Sequence, residues 1–301
     1  MTRPPSDAAI ELVLPAKTAV LPGDLQVKRA IPQRQRRMVG PFTFLDQMGP
    51  ARIPEGRSSK VLSHPHIGLS TLTYLFEGEG LHQDSLGVVQ PILPGAVNWM
   101  TAGRGIVHAE TMKGGAEGRL LGVQFWVALP RDQEECDPSF AHYDASDIPE
   151  IVGGDARIRL IAGSMFGATS PVKTSSPLFA AEVNLPAGSM VTMPAGYAER
   201  AAYVVEGAID AGGQPIGAGE MVFYAADGQA PLLARESTRL LLVGGEPLES
   251  PRYINWNFVS SSRDRLQQAR EDWREQRFPK VPGETEYIPL PDDPLKRVNY
   301  P

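Results

Sequence analysis

The sequence has one cysteine, Cys136, in 301 residues. An internal disulfide is therefore excluded, and no second Cys or nearby His stands at a zinc-type spacing, so a reducing compartment is the simplest home. Long apolar runs are missing too: none approaches the ~18 residues that span a bilayer. The opening stretch MTRPPSDAAIELVLPAK has no apolar segment of about 7–15 residues behind a basic start. A soluble cytoplasmic protein, not exported and without membrane contact, is expected. There is no excess of positive charge either. A net charge of −6 gives no general attraction to phosphate backbones. The single basic cluster, Lys28, Arg29, Arg34, Arg36 and Arg37, lacks the interleaved aromatics that stack bases. It reads as a solvated loop face, and no direct nucleic-acid binding is expected.

What the chain does have is 30 glycines and 28 prolines, scattered rather than clustered. That composition suits many short strands joined by tight turns. Residues 70–76, Ser-Thr-Leu-Thr-Tyr-Leu-Phe, are rich in β-branched and aromatic types and run directly into the turn Glu77-Gly78-Glu79-Gly80. Similar runs at 96–100, 120–129, 158–162, 180–185, 202–205, 221–224 and 239–243 predict an all-β sandwich or barrel. The length fits two domains of roughly 100–200 residues each. The acids, prolines and Gly153-Gly154 of residues 130–157 mark the connection between them. One segment breaks the pattern. After the capping residues Ser260-Ser261-Ser262, Leu266, Ala269 and Trp273 recur at i, i+3 and i+7 until Phe278-Pro279 ends the run. This predicts one amphipathic helix packed on a barrel, followed by an irregular proline-rich tail.

An internal repeat supports two domains. His64-Pro65-His66 through Tyr74-Leu75-Phe76-Glu77-Gly78 aligns without gaps with Met193-Pro194-Ala195 through Tyr203-Val204-Val205-Glu206-Gly207. After a five-residue difference in loop length, Pro94-Gly95-Ala96-Val97 matches Ala218-Gly219-Glu220-Met221. His108 and Glu110 then fall opposite Leu232 and Ala234. The expected domains are residues 10–135 and 155–250, with 260–301 as helix and tail.

His64 and His66 stand two apart, as do His108 and Glu110, so each pair shares a face of its strand. Two strands with two donors each can gather three imidazoles and a carboxylate around one point, the requirement of a first-row transition metal. A bare His-x-His is weak evidence by itself. The second pair strengthens it, and so does the distribution of histidines: the chain has five, with none beyond residue 142. In the second copy the four candidate ligands become Met193, Ala195, Leu232 and Ala234, so only the first is expected to bind metal.

The stretches HPHIGLSTLTYLFEGEGLHQDSLG and LPGAVNWMTAGRGIVHAE, together with GPFTFLDQMGP at 40–50, resemble the pirin family, a branch of the cupin superfamily. The resemblance implies a bicupin of two antiparallel β-barrels. It implies Fe(II), or another divalent transition metal, held by His64, His66, His108 and Glu110. It further implies dioxygenation of a flavonol such as quercetin, with Glu110 accepting the substrate's hydroxyl proton as catalytic base. Some members of the family instead act as transcription cofactors or regulatory partners of other proteins, with the iron as a redox sensor. Two departures stand out: Ser70 occupies a position where many cupins have a glutamate ligand, and Ile67 one where several pirins have a basic residue.

The remaining candidates read as structural. His82 and Asp84 follow the Gly78–Gly80 turn; His82 is within reach of the pocket as a group supporting the metal ligands but reads rather as a solvated hairpin residue, and neither is counted in the site. Gly103-Arg104-Gly105 is the turn that delivers His108, Trp99 and Met100 pack the barrel, and His142 lies in the linker. No G-x-S-x-G pattern supports acyl transfer.

Overall fold

The structure is a computed structural model and describes residues 9–20 and 25–291. The tail prolines Pro294 and Pro301 lie outside the described residues. The chain forms two compact units. One takes the described residues up to Lys17 together with Gln33–Pro41 and Ile148–Pro247; the other takes those of Thr18–Pro32, Phe42–Asp147 and Leu248 onward.

The unit that carries the histidines has a seven-stranded sheet in the order Ser139–Tyr143, Val97–Thr101, Leu69–Glu77, Arg119–Ala128, Phe42–Arg52, Gln26–Ile31, Lys17–Val20. Its second sheet has four strands, Ser59–His66, Ile106–Lys113, Glu79–Asp84 and Val89–Ile92. The other unit repeats the plan with an eight-stranded sheet and a four-stranded one. The ladders are antiparallel, and the predicted strand runs all fall within observed strands or overrun them by one residue, as at Ala96 and Leu129. The sheets do not close into barrels; each unit is a cupin-type β-sandwich. The chain passes from the small sheet to the large one at Gly68, whose φ of 66° lies in the left-handed region. A Cβ there would sit 2.0 Å from the Val259 carbonyl oxygen, so only glycine fits the corner.

The repeat is visible in hydrogen bonds. Gly95 N–H donates to Leu75 O at 2.9 Å, and Gly219 N–H donates to Val204 O at 2.8 Å. These four residues are matched pairs in the sequence alignment, and both glycines have positive φ.

The boundaries differ from the sequence expectation in three places. Ile10–Pro15, expected in the first domain, pairs with Glu220–Tyr224 of the second unit. The strand is held by backbone hydrogen bonds and by Ile10 and Val13 packing on that unit's core, and its composition alone does not say which of two similar cores it joins. Residues 130–157 are not a simple connection: Ser139–Tyr143 pairs with Val97–Thr101 and Glu150–Gly153 with Ala156–Met165. The C-terminal segment is not a separate piece, because it belongs to the histidine-bearing unit.

The predicted helix runs from Arg263 to Arg274, with the Ser262 side chain accepting from Arg265 N–H. Its buried Leu266, Ala269 and Trp273 pack with Phe258, Phe278, Ile67 and Val107. Ile67 and Val107 directly neighbour His66 and His108, so the helix backs the strands that present the histidines. Among the described residues no helix is long and apolar enough to cross a membrane.

Candidate metal centre

Ser59–His66 and Ile106–Lys113 pair antiparallel, with His64 opposite His108 and His66 opposite Ile106. A bulge after His108 places Glu110 opposite Val61, and such a bulge re-aims the side chain that follows it. On its other edge the same central strand pairs with Glu79–Asp84, where Glu110 faces His82. The donor atoms of His64, His66 and His108 lie within 4.8 Å of one another, and so do those of His82, His108 and Glu110. The four expected residues are thus gathered around His108, and His82 joins them. The reading of His82 as a solvated residue is corrected: it is 3% exposed and stacks on Phe140 with centroids 4.5 Å apart. Its hairpin pairs with the buried central strand, which the turn signal alone does not reveal.

The protonation of the site follows from its hydrogen bonds. His64 Nδ1 lies 2.8 Å from Leu62 O and His66 Nδ1 lies 3.0 Å from Asn257 O. A carbonyl only accepts, so both Nδ1 atoms donate and both Nε2 atoms keep a lone pair. Burial pushes the pKa of His64 below the ordinary histidine value. Burial and then the neighbouring imidazoles hold His66 and His108 well below it. The neutral form is the metal-binding form. His66 Nε2 and His108 Nε2 are 3.1 Å apart. Two imidazole nitrogens each about 2.1 Å from a common cation, at right angles, would stand about 3.0 Å apart. The donor set and this spacing therefore fit a divalent first-row cation. Glu110 is oriented by Thr73 Oγ1, which donates to Oε1 at 3.0 Å, and by Gln124 Nε2, which donates to Oε2 at 2.9 Å. His82 Nε2 donates to Asp84 Oδ2 at 3.0 Å, and Asp84 Oδ1 is held by the Leu86 and Val88 amides.

Beside these residues lies a cavity of about 370 Å³ whose lining includes His64, Glu110, Phe44, Trp126, Ile254 and Arg29. Arg29 is therefore not part of a solvated loop face. It sits on strand Gln26–Ile31 and is tied to Asp46 through two hydrogen bonds of 2.9 and 2.8 Å. Sequence reasoning missed Thr73, Gln124 and Asn257 as partners of the site, and only tertiary pairing brings them there. Trp99 and Met100 are buried, as expected for packing residues. His142 sits on a strand rather than in a linker, with Nδ1 2.6 Å from Asn98 Oδ1. Gly103 and Gly105 directly precede the strand that carries His108, consistent with a delivering turn.

The two units and the histidine cluster define the class: a two-domain cupin whose first domain carries buried His and Glu donors that could hold a divalent metal. The pirin family profile matches residues 24–127, and the profile of the pirin C-terminal cupin domain matches residues 180–279. The chain is 48% identical over 290 residues to a pirin-like protein of Caulobacter vibrioides, covering 94% of this chain and 100% of that protein. A crystal structure of quercetin 2,3-dioxygenase from Acinetobacter baumannii superposes with a TM-score of 0.87 at 33% identity, covering 95% of this chain and 96% of that one. The nickel(II) complex of the bacterial pirin YhhW from Escherichia coli shares the fold, with a TM-score of 0.61 at 18% identity over 79% of this chain and 100% of that one. The chain belongs to the pirin family.

Proposed function

We propose that this pirin is a dioxygenase acting on a flavonol such as quercetin, with one Fe(II) held by His64, His66, His108 and Glu110. The observation that carries the reading is the cavity of about 370 Å³ that has His64 and Glu110 in its wall among aromatic and aliphatic side chains. Its size lies within the roughly 300–1,000 Å³ of small-molecule sites. The metal, when bound, supplies a Lewis-acidic centre at which a flavonol oxygen and dioxygen can meet.

The chain's own residues do the rest. His64 and His66 are fixed with Nε2 unprotonated by the Leu62 and Asn257 carbonyls. Glu110, oriented by Thr73 and Gln124, accepts the flavonol hydroxyl proton. Phe44, Trp126 and Ile254 form an apolar wall that suits a flat aromatic substrate and excludes water. The similarity to a quercetin 2,3-dioxygenase supports this activity, and the nickel(II) of the Escherichia coli pirin supports a divalent cation at the site. The alternative, a regulatory protein that uses iron as a redox sensor for a protein partner, does not require such a cavity beside the metal donors.

Elemental analysis of the purified protein, followed by oxygen uptake with a panel of flavonols, tests the proposal. One iron per chain and flavonol-dependent oxygen consumption are expected. No oxygen uptake by iron-loaded protein with any flavonol overturns the enzymatic reading and moves the regulatory one ahead.

A further inference from the structure

One wall of the cavity is a continuous column of planar groups. The Arg29 guanidinium carbon lies 4.5 Å from the Phe44 ring centroid. Phe44 stacks on Trp126 with centroids 4.1 Å apart and planes 14° from parallel. Trp126 in turn meets His66 edge to face at 5.1 Å. The column therefore runs from a cation to a candidate metal ligand, and Arg29, Phe44 and Trp126 all line the cavity.

Two donors in this column are uncommitted. Trp126 is 7% exposed, and its indole Nε1 is buried without a protein partner among the described residues. A buried N–H left unpaired is costly, and a native structure that retains one usually satisfies it with water or a ligand. Arg29 spends Nε and Nη2 on the two oxygens of Asp46. Among the described residues its Nη1 has no partner. Asp46, itself only 1% exposed, holds the planar fork in one orientation, which lowers the entropic cost of using the remaining N–H for recognition.

We propose that Arg29 and Trp126 are the specificity-determining pair of this cavity and recognise ring hydroxyl oxygens of a planar polyphenol, beyond the hydroxyl–ketone edge that meets the metal. This inference rests on the flavonol reading above and narrows it. A substrate without those ring hydroxyls would leave the buried Trp126 N–H unsatisfied and the part-exposed Arg29 Nη1 to water, and sites built to hydrogen-bond a substrate hydroxyl discriminate strongly against analogues that lack it.

The test compares quercetin with 3-hydroxyflavone, which keeps the hydroxyl–ketone edge but has no other hydroxyl. Dissociation constants are measured under nitrogen from flavonol absorbance, and kcat and KM are then measured in air, for wild type, Trp126→Phe and Arg29→Met. Trp126→Phe keeps the ring stack and removes only the N–H. Arg29→Lys serves as a further variant that keeps the charge and loses the fork. Wild type should prefer quercetin, and each variant should weaken quercetin binding roughly tenfold, the scale of one lost hydrogen bond. Binding of 3-hydroxyflavone should weaken by much less than that of quercetin, and metal content should stay nearly unchanged. A merely structural role would weaken both ligands alike or lower metal content. Wild type that binds the two flavonols equally, or variants that keep the wild-type preference, overturns this inference while leaving the flavonol reading intact. Wild type that neither binds nor consumes any flavonol overturns both.

Discussion

At the positions where the first cupin unit has His64, His66, His108 and Glu110, the second has Met193, Ala195, Leu232 and Ala234. Met193, Leu232 and Ala234 are buried in the second unit's apolar core with Phe179, Val204, Val222 and Leu240, whereas Ala195 is exposed. Both donor clusters among the described residues lie in the first unit. The same fold thus surrounds a packed apolar interior in one copy and a polar cluster beside a cavity in the other. Burying imidazoles and a carboxylate is costly unless each is hydrogen-bonded or bound to metal. The Leu62 and Asn257 carbonyls, Thr73 and Gln124 offset part of that cost. At the matching positions the second unit has no such requirement, because apolar side chains occupy three of them in its core.

The largest effect that separates the halves is expected in turnover. Glu110→Gln should lower flavonol-dependent oxygen uptake by roughly 10²–10⁴-fold, the usual scale for a positioned general base. Metal content, measured on the same preparation, should fall by much less. A variant that keeps full rate while holding iron would remove the base role and leave the ligand role standing.

Next is the counterpart change in the packed half. Leu232 is fully buried, and Leu232→Ala should destabilise the protein by about 2–5 kcal/mol through lost burial and a residual cavity. Denaturant unfolding reads this, and the metal content of the folded protein should not move. His64→Ala, in the other half, should weaken metal binding by more than the roughly 10–100-fold typical of changes to groups that only support a ligand. Elemental analysis checks it, and two metals per wild-type chain would show that the second half is not the inert copy described here.

The comparison also shows what could be read in the sequence. The duplicated fold was legible because strand composition, the Pro-Gly turn and the matched glycines are local features, and the hydrogen bonds of Gly95 and Gly219 reproduce the alignment. The His-x-His and His-x-Glu pairs were legible because strand alternation converts spacing into a shared face. The bulge after His108 is the exception, since pairing and not spacing aims Glu110. His82 was misread because its burial depends on pairing with Ile106–Lys113 and stacking on Phe140. Arg29 stands in the sequence among basic neighbours that suggest a solvated face, although Asp46, 17 positions further on, holds it in the cavity wall. The recruitment of Ile10–Pro15 by the second unit rests on edge pairing with Glu220–Tyr224 and on Ile10 and Val13 packing against that unit's core, and nothing in the strand's own composition says which core it joins.

A last expected effect is a pH dependence confined to the metal-free first half. In the folded protein His64, His66 and His108 titrate below the ordinary histidine value, because burial disfavours the imidazolium. Above about pH 6.5, the unperturbed histidine value, folded and unfolded states both hold them neutral, so they add no slope. Below it the unfolded chain takes up protons that the folded state refuses, and stability falls as pH falls. Each histidine contributes at most about 1.4 kcal/mol per pH unit until its folded pKa is reached. No histidine lies beyond residue 142, so the second unit contributes no such term. Urea unfolding of metal-free protein at pH 7 and pH 5 should show a lower midpoint at pH 5. Bound metal, which favours the deprotonated imidazoles, should increase stability more at pH 7 than at pH 5. Equal midpoints for metal-free protein at both pH values would mean that the three imidazoles are not held neutral by burial, and the contrast between a polar and an apolar interior would lose its electrostatic basis.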